Sequence, residues 1–403
     1  MSTETAPLGD VASFIRGITF KPGDVAPRGV DGSVWCLRTK NVQAELDLSD
    51  VWAIDASFVK RSEQYLQAGD LLVSSANSLN LIGKCSWVPE LESDATFGGF
   101  VTVLRGNPQL VDRRYLYHWF SSSRTQAQVR SFSRQTTNIA NLDLRRCFEL
   151  AIPLPPLAQQ KRIAAVLDQL NTLRCKRREA IALLDALTQS IFLDMFGDPV
   201  VNSKNWPMRK LGEMGSLDRG VSKHRPRNDP SLLGGDTPLI QTGDVAGSGG
   251  YITGFTSTYS AIGLKQSRLW PAGTLCITIA ANIAKTGILT FGACFPDSVV
   301  GFTASPARVE YVRAWLSFLQ KTLEKAAPES AQKNINLAIL RDLQVPYAGE
   351  EMIQDYSERV QAIEASKGAN RAHLATLDEL FTSIQHRAFS GTLWDHEATG
   401  EAA

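Results

Sequence analysis

Residues 350–389 read EEMIQDYSERVQAIEASKGANRAHLATLDELFTSIQHRAF. This stretch has no proline and one glycine, Gly368, so it can form a single helix of about 40 residues, or about 60 Å at 1.5 Å per residue. Its apolar residues recur at alternating steps of three and four, which is the heptad pattern of a coiled coil, with breaks at Lys367 and Asn370. The seam consists of Ile353, Tyr356, Val360, Ile363, Leu374, Leu377, Phe381, Ile384 and Ala388.

The same pattern occurs 193 positions upstream, in residues 156–196. Arg174 and Arg177 stand where the later stretch has Lys367 and Asn370. The matching seam consists of Ile163, Leu167, Leu170, Ile181, Leu184, Ile191 and Met195. A shared phase and a shared polar break predict that the two helices pack on each other in antiparallel fashion. The alternative is a pair of ordinary amphipathic helices buried in separate cores.

The segments that precede the two helices also repeat each other in order. The matches are Leu8-Gly9 with Leu211-Gly212, residues 37–42 with 240–245, Gly69 and Leu71 with Gly273 and Leu275, Gly83 with Gly287, Gly99-Phe100 with Gly301-Phe302, Tyr115 and Trp119 with Tyr311 and Trp315, and Asn141, Leu144, Leu150 and Pro153 with Asn334, Leu337, Leu343 and Pro346. An order kept through so many anchors indicates an internal duplication.

Each half has strand-like runs, at residues 70–74 and 274–280, and a helical segment, at residues 115–130 and 309–325. The sequence therefore predicts an α+β fold: two similar globular domains separated by two long helices that form an antiparallel coiled coil with pseudo-two-fold symmetry. The predicted boundaries are 1–155 for domain 1, 156–197 for the first helix, 198–346 for domain 2, 347–392 for the second helix and 393–403 for a tail.

Three short segments carry a resemblance to a known family. They are IPLPPLAQQKRI at residues 152–163, FGDP at residues 196–199 and SIQHRAFSGTL at residues 383–393. Together with the order of domain, helix, second domain and second helix, they resemble the specificity subunits of Type I restriction-modification enzymes. The entry to the second helix departs from the pattern, because residues 345–348 read VPYA where residues 152–155 read IPLP.

The resemblance implies a DNA-binding protein in which each target-recognition domain reads one half of a bipartite, asymmetric target on double-stranded DNA. It also implies that the helices act as a spacer and as a docking platform for two methylation subunits, with restriction subunits joining the full complex. S-adenosylmethionine and ATP with Mg²⁺ are then expected in those partner subunits, and no cofactor is expected in this chain.

No catalytic motif stands out in the residues themselves. Gly83-Lys84 is followed by Cys85 and lacks the upstream glycine of a phosphate-binding loop. The five histidines and six cysteines are too dispersed for a metal site. We therefore expect a non-catalytic protein without a metal. The absence of a long apolar window or a secretory signal leads us to expect a cytoplasmic protein without a membrane span.

Charge is distributed unevenly although 42 Lys and Arg nearly balance 41 Asp and Glu. Residues 105–146 hold eight arginines and two acids, whereas residues 1–104 hold eight basic and thirteen acidic side chains. Residues 198–346 hold sixteen basic and eleven acidic side chains, whereas residues from 347 onward hold four basic and ten acidic ones. Positive charge thus lies in the predicted recognition domains, where phosphate contact requires it.

Candidate DNA contacts fall at corresponding places in the two halves. For phosphates, the candidates are Lys223, His224, Arg225 and Arg227 in domain 2 and Arg16 and Lys21 in domain 1. For base edges, which need hydrogen-bonding groups, they are Gln241, Thr242 and Asp244 in domain 2 and Arg38, Thr39 and Asn41 in domain 1. Further candidates are Ser74, Asn77, Arg134, Gln135, Asn282 and Lys333. Trp119 and Trp315 lie at helical spacing from tyrosines and are predicted to be core residues rather than base-stacking groups.

A different class of function remains open at this point. The repeated domains could bind protein rather than DNA, which would make the chain an assembly scaffold. Charge reversal at Lys223, Arg225 and Arg227 separates the two, because only a DNA-binding protein would lose salt-sensitive DNA binding.

Overall fold

The computed structural model describes residues 4–27, 29–135, 139–280, 284–326 and 336–393. The chain forms two compact units: unit 1 comprises Met1–Arg177 and His373–Ala403, and unit 2 comprises Arg178–Ala372. Each unit therefore combines one globular domain with part of each long helix. None of the helices among the described residues has the length and apolar character needed to cross a membrane.

Unit 1 is built mainly from short strands. These are β1 (Thr5–Pro7), β2 (Ala12–Arg16), β3 (Val25–Ala26), β4 (Ser33–Leu37), β5 (Trp52–Asp55), β6 (Leu71–Ser74), β7 (Ala76–Asn77), β8 (Cys85–Trp87), β9 (Ala95–Phe97), β10 (Val101–Gly106), β11 (Ser133–Gln135), β12 (Ala140–Leu142) and β13 (Ala151–Pro153). Its helices are α1 (Leu8–Val11), α2 (Arg113–Phe120), α3 (Ser123–Ser131), α4 (Leu144–Phe148) and the first part of α5 (Leu157–Phe196). The strands form sheets in the orders β2-β10-β6-β8, β3-β5-β4-β9, β11-β12-β7 and β1-β13.

Unit 2 has a similar composition. Its strands are β14 (Met208–Lys210), β15 (Ser216–Arg219), β16 (Leu233–Leu239), β17 (Tyr251–Ile252), β18 (Ser257–Tyr259), β19 (Leu269–Trp270), β20 (Leu275–Thr278), β21 (Thr286–Leu289), β22 (Ala293–Cys294), β23 (Val299–Thr303) and β24 (Gln344–Pro346). Its helices are α6 (Leu211–Met214), α7 (Thr242–Ala246), α8 (Ala261–Lys265), α9 (Pro306–Ala326), α10 (Leu337–Asp342) and the first part of α11 (Glu350–Ser390). The sheet orders are β15-β23-β20-β21-β17, β18-β16-β22-β19 and β14-β24.

The strand register corrects one anchor of the predicted repeat. Leu104 of β10 pairs with Leu71, and Phe302 of β23 pairs with Leu275, the counterpart of Leu71. Leu104 is thus the counterpart of Phe302, and the sequence match of Phe100 with Phe302 was wrong by four residues. Short Gly-Phe pairs recur by chance, whereas the ladder hydrogen bonds fix which residues stand opposite each other.

The predicted helix at residues 115–130 is also interrupted. The structure has two helices there, α2 and α3, separated at Ser121 and Ser122. The Ser122 hydroxyl accepts a hydrogen bond from the Thr125 amide at 3.3 Å and so caps a new helix, which serine favours over continuing an existing one. The counterpart α9 continues without a break to Ala326.

Equivalent aromatic residues anchor the two cores in the same way. The Tyr115 hydroxyl donates to the Pro153 carbonyl at 2.8 Å in unit 1, and the Tyr311 hydroxyl donates to the Pro346 carbonyl in unit 2. Both pairs were anchors of the predicted repeat. Trp119 is 4% exposed and Trp315 is fully buried, which confirms that they are core residues.

The seam residues near the helix ends pack into the cores of the units. In unit 2, Ile353, Tyr356 and Val360 of α11 share a core cluster with Phe192 of α5. In unit 1, Ile163 and Leu167 of α5 share one with Ala388 of α11. In each unit an early part of one helix lies beside a late part of the other, so the helices are antiparallel, as predicted. The seams do not pack only on each other, because these residues also belong to the domain cores.

The polar break in each seam holds the same ion pair in both units. In unit 1, Arg174 Nε lies 2.5 Å from Asp378 Oδ1. In unit 2, Lys367 Nζ lies 2.6 Å from Asp185 Oδ1, and the Lys367 side chain is only 4% exposed. Both cations and both carboxylates are related by the 193-residue offset of the repeat. A shift of one helical turn would separate each cation from its carboxylate on the other helix, so these pairs favour a single register. Lys367 also pairs with Glu364 of its own helix.

The domain of unit 1 is attached to α5 through Asp168. Its carboxylate accepts from Arg114 Nε at 2.9 Å and lies 2.8 Å from His118 Nε2. Partial burial by itself raises the pKa of Asp168, but hydrogen bonds from His118 and Arg114 and the charge on Arg114 outweigh that effect and lower the pKa to about 2. Because this is below the value of about 3.9 in an unfolded chain, folding favours the ionised form.

The Asp168 contacts make a testable prediction about pH. Their contribution to stability is complete above about pH 4 and is lost as the pH falls toward 2. In urea unfolding of unit 1 at a series of pH values, the wild type and Asp168→Asn should therefore differ in the free energy of unfolding by a constant amount near neutrality. This difference should shrink in acid. The exposed Asp94 provides the control substitution, Asp94→Asn. A difference that grows in acid would contradict the assignment.

Candidate nucleic-acid interface

The basic loop of unit 2, residues 223–227, is held in a defined conformation. Gln266 Oε1 accepts from the backbone amides of Lys223 at 2.6 Å and His224 at 3.0 Å. Arg225 donates to the Ser222 carbonyl at 2.6 Å. All five side chains of the loop are exposed. The fixed backbone therefore presents cationic side chains to solvent at a small cost in conformational entropy.

Acidic residues partly neutralise this loop. Asp297 forms ion pairs with Arg227 and, at 3.4 Å, with Arg225. His224 Nε2 lies 3.2 Å from Asp229 Oδ2. These pairs are largely exposed and hence worth little on their own, so a phosphate group can replace Asp297 as the partner of either arginine.

The loop and a second candidate segment line one cavity. Arg227 of the basic loop and Gln241 and Thr242 at the start of α7 border a space of about 240 Å³. Tyr259 and Ser298 also line it. The structure thus brings a predicted phosphate contact together with two predicted base-reading residues that lie about fifteen positions away in the sequence.

Two predicted base-reading residues perform the same structural task in the two units. The Asn41 side chain accepts from the Arg38 amide at 2.7 Å, and the Asp244 side chain accepts from the Gln241 amide at 2.8 Å. Each closes a capping interaction at the start of a short helix. Asn41 is 1% exposed, so it supports the segment from inside, whereas Asp244 is only half-buried.

Arg38 is held against an aromatic ring. Its guanidinium carbon lies 3.7 Å from the centre of the Trp52 ring, and Nη2 is 3.2 Å from Asp50 Oδ2. Side-chain hydrogen bonds from Lys40 and Arg38 lower the pKa of Asp50, so this carboxylate stays charged. Thr39, the next residue, is half-buried. Arg38 therefore presents only an edge of its side chain to solvent.

The remaining candidates of unit 1 differ in exposure, from the exposed Arg16, Lys21 and Arg134 to the buried Ser74. Arg16 and Lys21 are exposed at the end of β2 and just beyond it. Asn77 donates to Ser74 Oγ at 3.0 Å, and Ser74 is 1% exposed. The Arg134 side chain is 84% exposed and lies 3.0 Å from Asp143.

Three predicted positions lie wholly or partly outside the described residues. Gln135 ends β11, but its side chain lies outside the described part of the structure, as do Asn282 and Lys333. Among the described residues, no group of three or more His, Cys, Asp or Glu side chains could hold a metal ion.

Residues that position the site were missed at the sequence level. Asp297 and Gln266 hold the basic loop, yet they lie 70 and 43 residues away from their partners. Nothing in the local sequence signals such contacts. Gly220 offers a weak signal in retrospect, because a Cβ atom there would lie 2.3 Å from the Phe295 carbonyl oxygen, which means that only glycine allows this close approach.

A family model described as "Type I restriction modification DNA specificity domain" matches residues 3–183 and 203–351. The chain belongs to this specificity family. The two matched segments correspond to the two repeated halves of the sequence.

Members of the specificity family are similar to the chain over part of its length. It is 30% identical over 166 residues to the Type I restriction enzyme EcoKI specificity subunit of Escherichia coli (strain K12), a match that covers 41% of this chain and 35% of that subunit. It is 29% identical over 167 residues to the StySPI specificity subunit of Salmonella potsdam, again covering 41% and 35%. The chain thus spans about a third of the length of these relatives.

The specificity fold extends over nearly the whole chain. The S subunit of a Type-I restriction-modification system from M. genitalium aligns with a TM-score of 0.62 and 13% identity, covering 96% of each chain. This similarity establishes the fold: two α+β domains and two long helices, as the sequence predicted.

Proposed function

We propose that this chain is the sequence-reading subunit of a Type I restriction-modification complex. Each domain reads one half of a bipartite, asymmetric target on double-stranded DNA. The single observation that supports this most strongly is the match of a DNA specificity family to both halves of an internally repeated chain. Two domains with one fold and different loops suit a target whose halves differ.

The electrostatics of the loops support DNA as the ligand. In unit 2, exposed Arg227 borders the cavity that Gln241 also lines, and exposed Lys223 belongs to the same basic loop. In unit 1, Arg16 and Lys21 are exposed near the turn at Gly98. Cations hold the phosphates and fix orientation, while amide and hydroxyl groups reach base edges.

The long helices have a separate role in this proposal. Helices α5 and α11, of 40 and 41 residues, act as the spacer between half-sites and as the docking platform for two methylation subunits. The chain itself is non-catalytic: the methylation subunits use S-adenosylmethionine, and restriction subunits, where present, use ATP with Mg²⁺. The protein works in the cytoplasm, where its DNA target is.

Exchange of one domain tests the proposed function. We expect that replacing residues 198–346 by those of a specificity-family member with a different target changes one half of the methylated sequence and leaves the other half intact. The measurement is methylation mapping of DNA from cells that express the chain with its methylation partner. A change in both halves would contradict independent reading, and the wild-type chain in the same cells is the control.

A further inference from the structure

The Phe100 side chain is 64% exposed, whereas its chain neighbour Val101 is buried in the core of the domain. It lies between Gly99 and Val101, and Val101 begins β10 and is 1% exposed. Single apolar residues on a surface are common, so exposure alone carries no conclusion. What distinguishes Phe100 is how its backbone is held and what surrounds it.

The backbone around Phe100 is fixed by hydrogen bonds on both sides. The Phe100 carbonyl accepts from the amides of Ser75 at 3.0 Å and Ala76 at 3.1 Å. The Val101 amide donates to the Gly98 carbonyl at 2.9 Å, which closes a tight turn. The ring is therefore mounted on a rigid turn, and its exposure is not the result of a loose loop. A backbone that is fixed in advance loses little conformational entropy when its side chain enters a binding site.

Candidate DNA contacts lie on both sides of this turn. On one side, Gly98 bridges Ile18, which lies between exposed Arg16 and Lys21 in the chain. On the other side, Ala76 pairs with Asn141, and Asn141 pairs with Arg134. An apolar ring flanked by cations is the arrangement with which proteins insert a wedge into a base step while holding the neighbouring phosphates.

Unit 2 has a different group at the same place. The register of β10 and β23 makes Val101 the counterpart of Val299, so Phe100 corresponds to Ser298. Ser298 is half-buried and borders the cavity that contains Arg227 and Gln241. The two units therefore present a projecting ring and a polar recess at equivalent positions.

We infer that Phe100 is a wedge that inserts between two adjacent base pairs of the half-site read by unit 1. This inference rests on the proposed function, since it requires DNA on this face. Insertion unstacks the step and kinks the duplex, so unit 1 selects a step that deforms easily, such as a pyrimidine–purine step. Unit 1 then gains sequence selectivity from DNA deformability in addition to hydrogen bonds with base edges.

Fluorescence of 2-aminopurine tests the inference in the complex of the full chain with its methylation partner. The probe is a duplex containing the mapped target, with 2-aminopurine placed in turn at each position of the half-site of unit 1. We expect fluorescence to rise at one step on binding, to stay low with Phe100→Ala and to rise again with Phe100→Leu, because leucine is also an effective wedge. Affinity should fall by roughly 5- to 150-fold in Phe100→Ala, the range for losing one aromatic stacking contact.

Controls separate the wedge from the proposed function itself. Leu110→Ala removes another apolar side chain of unit 1, which is 45% exposed. This substitution should change neither the 2-aminopurine fluorescence nor the DNA affinity. If the wild-type complex shows no salt-sensitive DNA binding, the proposed function fails. If it binds DNA but no position becomes fluorescent, or Phe100→Ala behaves as the wild type, the wedge is overturned and the proposed function stands. If Phe100→Ala loses the methylation partner rather than DNA affinity, the ring is a protein contact and the wedge is likewise overturned.

Discussion

A triple substitution of Lys223, Arg225 and Arg227 by glutamine is expected to weaken DNA binding by about 500-fold at 0.1 M salt, if each residue contacts one phosphate. The figure follows from counterion release, since each lost phosphate contact lowers the slope of log K against log salt by about 0.9. The slope itself should fall by about 2.7. Binding to specific and unrelated DNA should weaken alike, because phosphate contacts carry no sequence information.

Glutamine is the appropriate replacement because Asp297 pairs with two of these side chains. Charge reversal would place new carboxylates beside Asp297 and could distort the loop.

A matched control removes three other exposed cations of unit 2, Lys210, Arg359 and Arg371, each of which pairs with a carboxylate outside the loop. Fluorescence anisotropy with a labelled duplex at several salt concentrations gives both affinity and slope. Intact binding in both triple variants would favour the protein-binding scaffold, and equal losses would show that the loop has no special role in DNA binding.

Replacing Phe192 by alanine is expected to lower the free energy of unfolding of unit 2 by about 3–5 kcal/mol, the usual cost of removing a buried phenylalanine. Phe192 is fully buried. Its ring centre lies 5.6 Å from that of Tyr311 and 5.5 Å from that of Tyr356. The substitution would leave a cavity where α5, α9 and α11 meet, and these helices could close it only in part.

Hydrogen exchange of peptides from β20 and β23 in increasing urea reports the stability of unit 2 directly. The control is Leu183→Ala on the same helix, where the side chain is 63% exposed and the expected change is within about 0.5 kcal/mol. If both variants unfold at the same urea concentration, Phe192 does not join α5 to the core of unit 2.

Much of the fold was predictable because it depends on periodic patterns. The heptad phase, the polar break and the ordered anchors identified two long helices and a repeat. Tyr115 and Tyr311 matched in the sequence and make the same hydrogen bond in the structure. The false match of Phe100 with Phe302 shows the limit of such patterns, because a two-residue similarity does not determine strand register. The break at Ser122 was missed for a related reason, since a serine cap and a tolerated serine look alike in sequence.

The candidate site was predictable only in outline. The sequence located the cationic loop and the segments that follow buried strands. It did not reveal that Asn41 is buried, that Arg38 lies on Trp52 or that Asp297 holds the loop arginines. These contacts join residues 14 to 72 positions apart, a separation at which local patterns carry no information.

By itself the sequence determined the duplication, the antiparallel helix pair and the family, because apolar periodicity and the order of motifs are properties of the linear sequence. Tertiary structure alone decided which polar side chains face solvent and which support the backbone from inside. The physical reason is that burial and ion pairing depend on which strands and loops meet in space. Phe100, which the sequence matched with Phe302, shows the difference most clearly, because Phe302 is fully buried and Phe100 is 64% exposed.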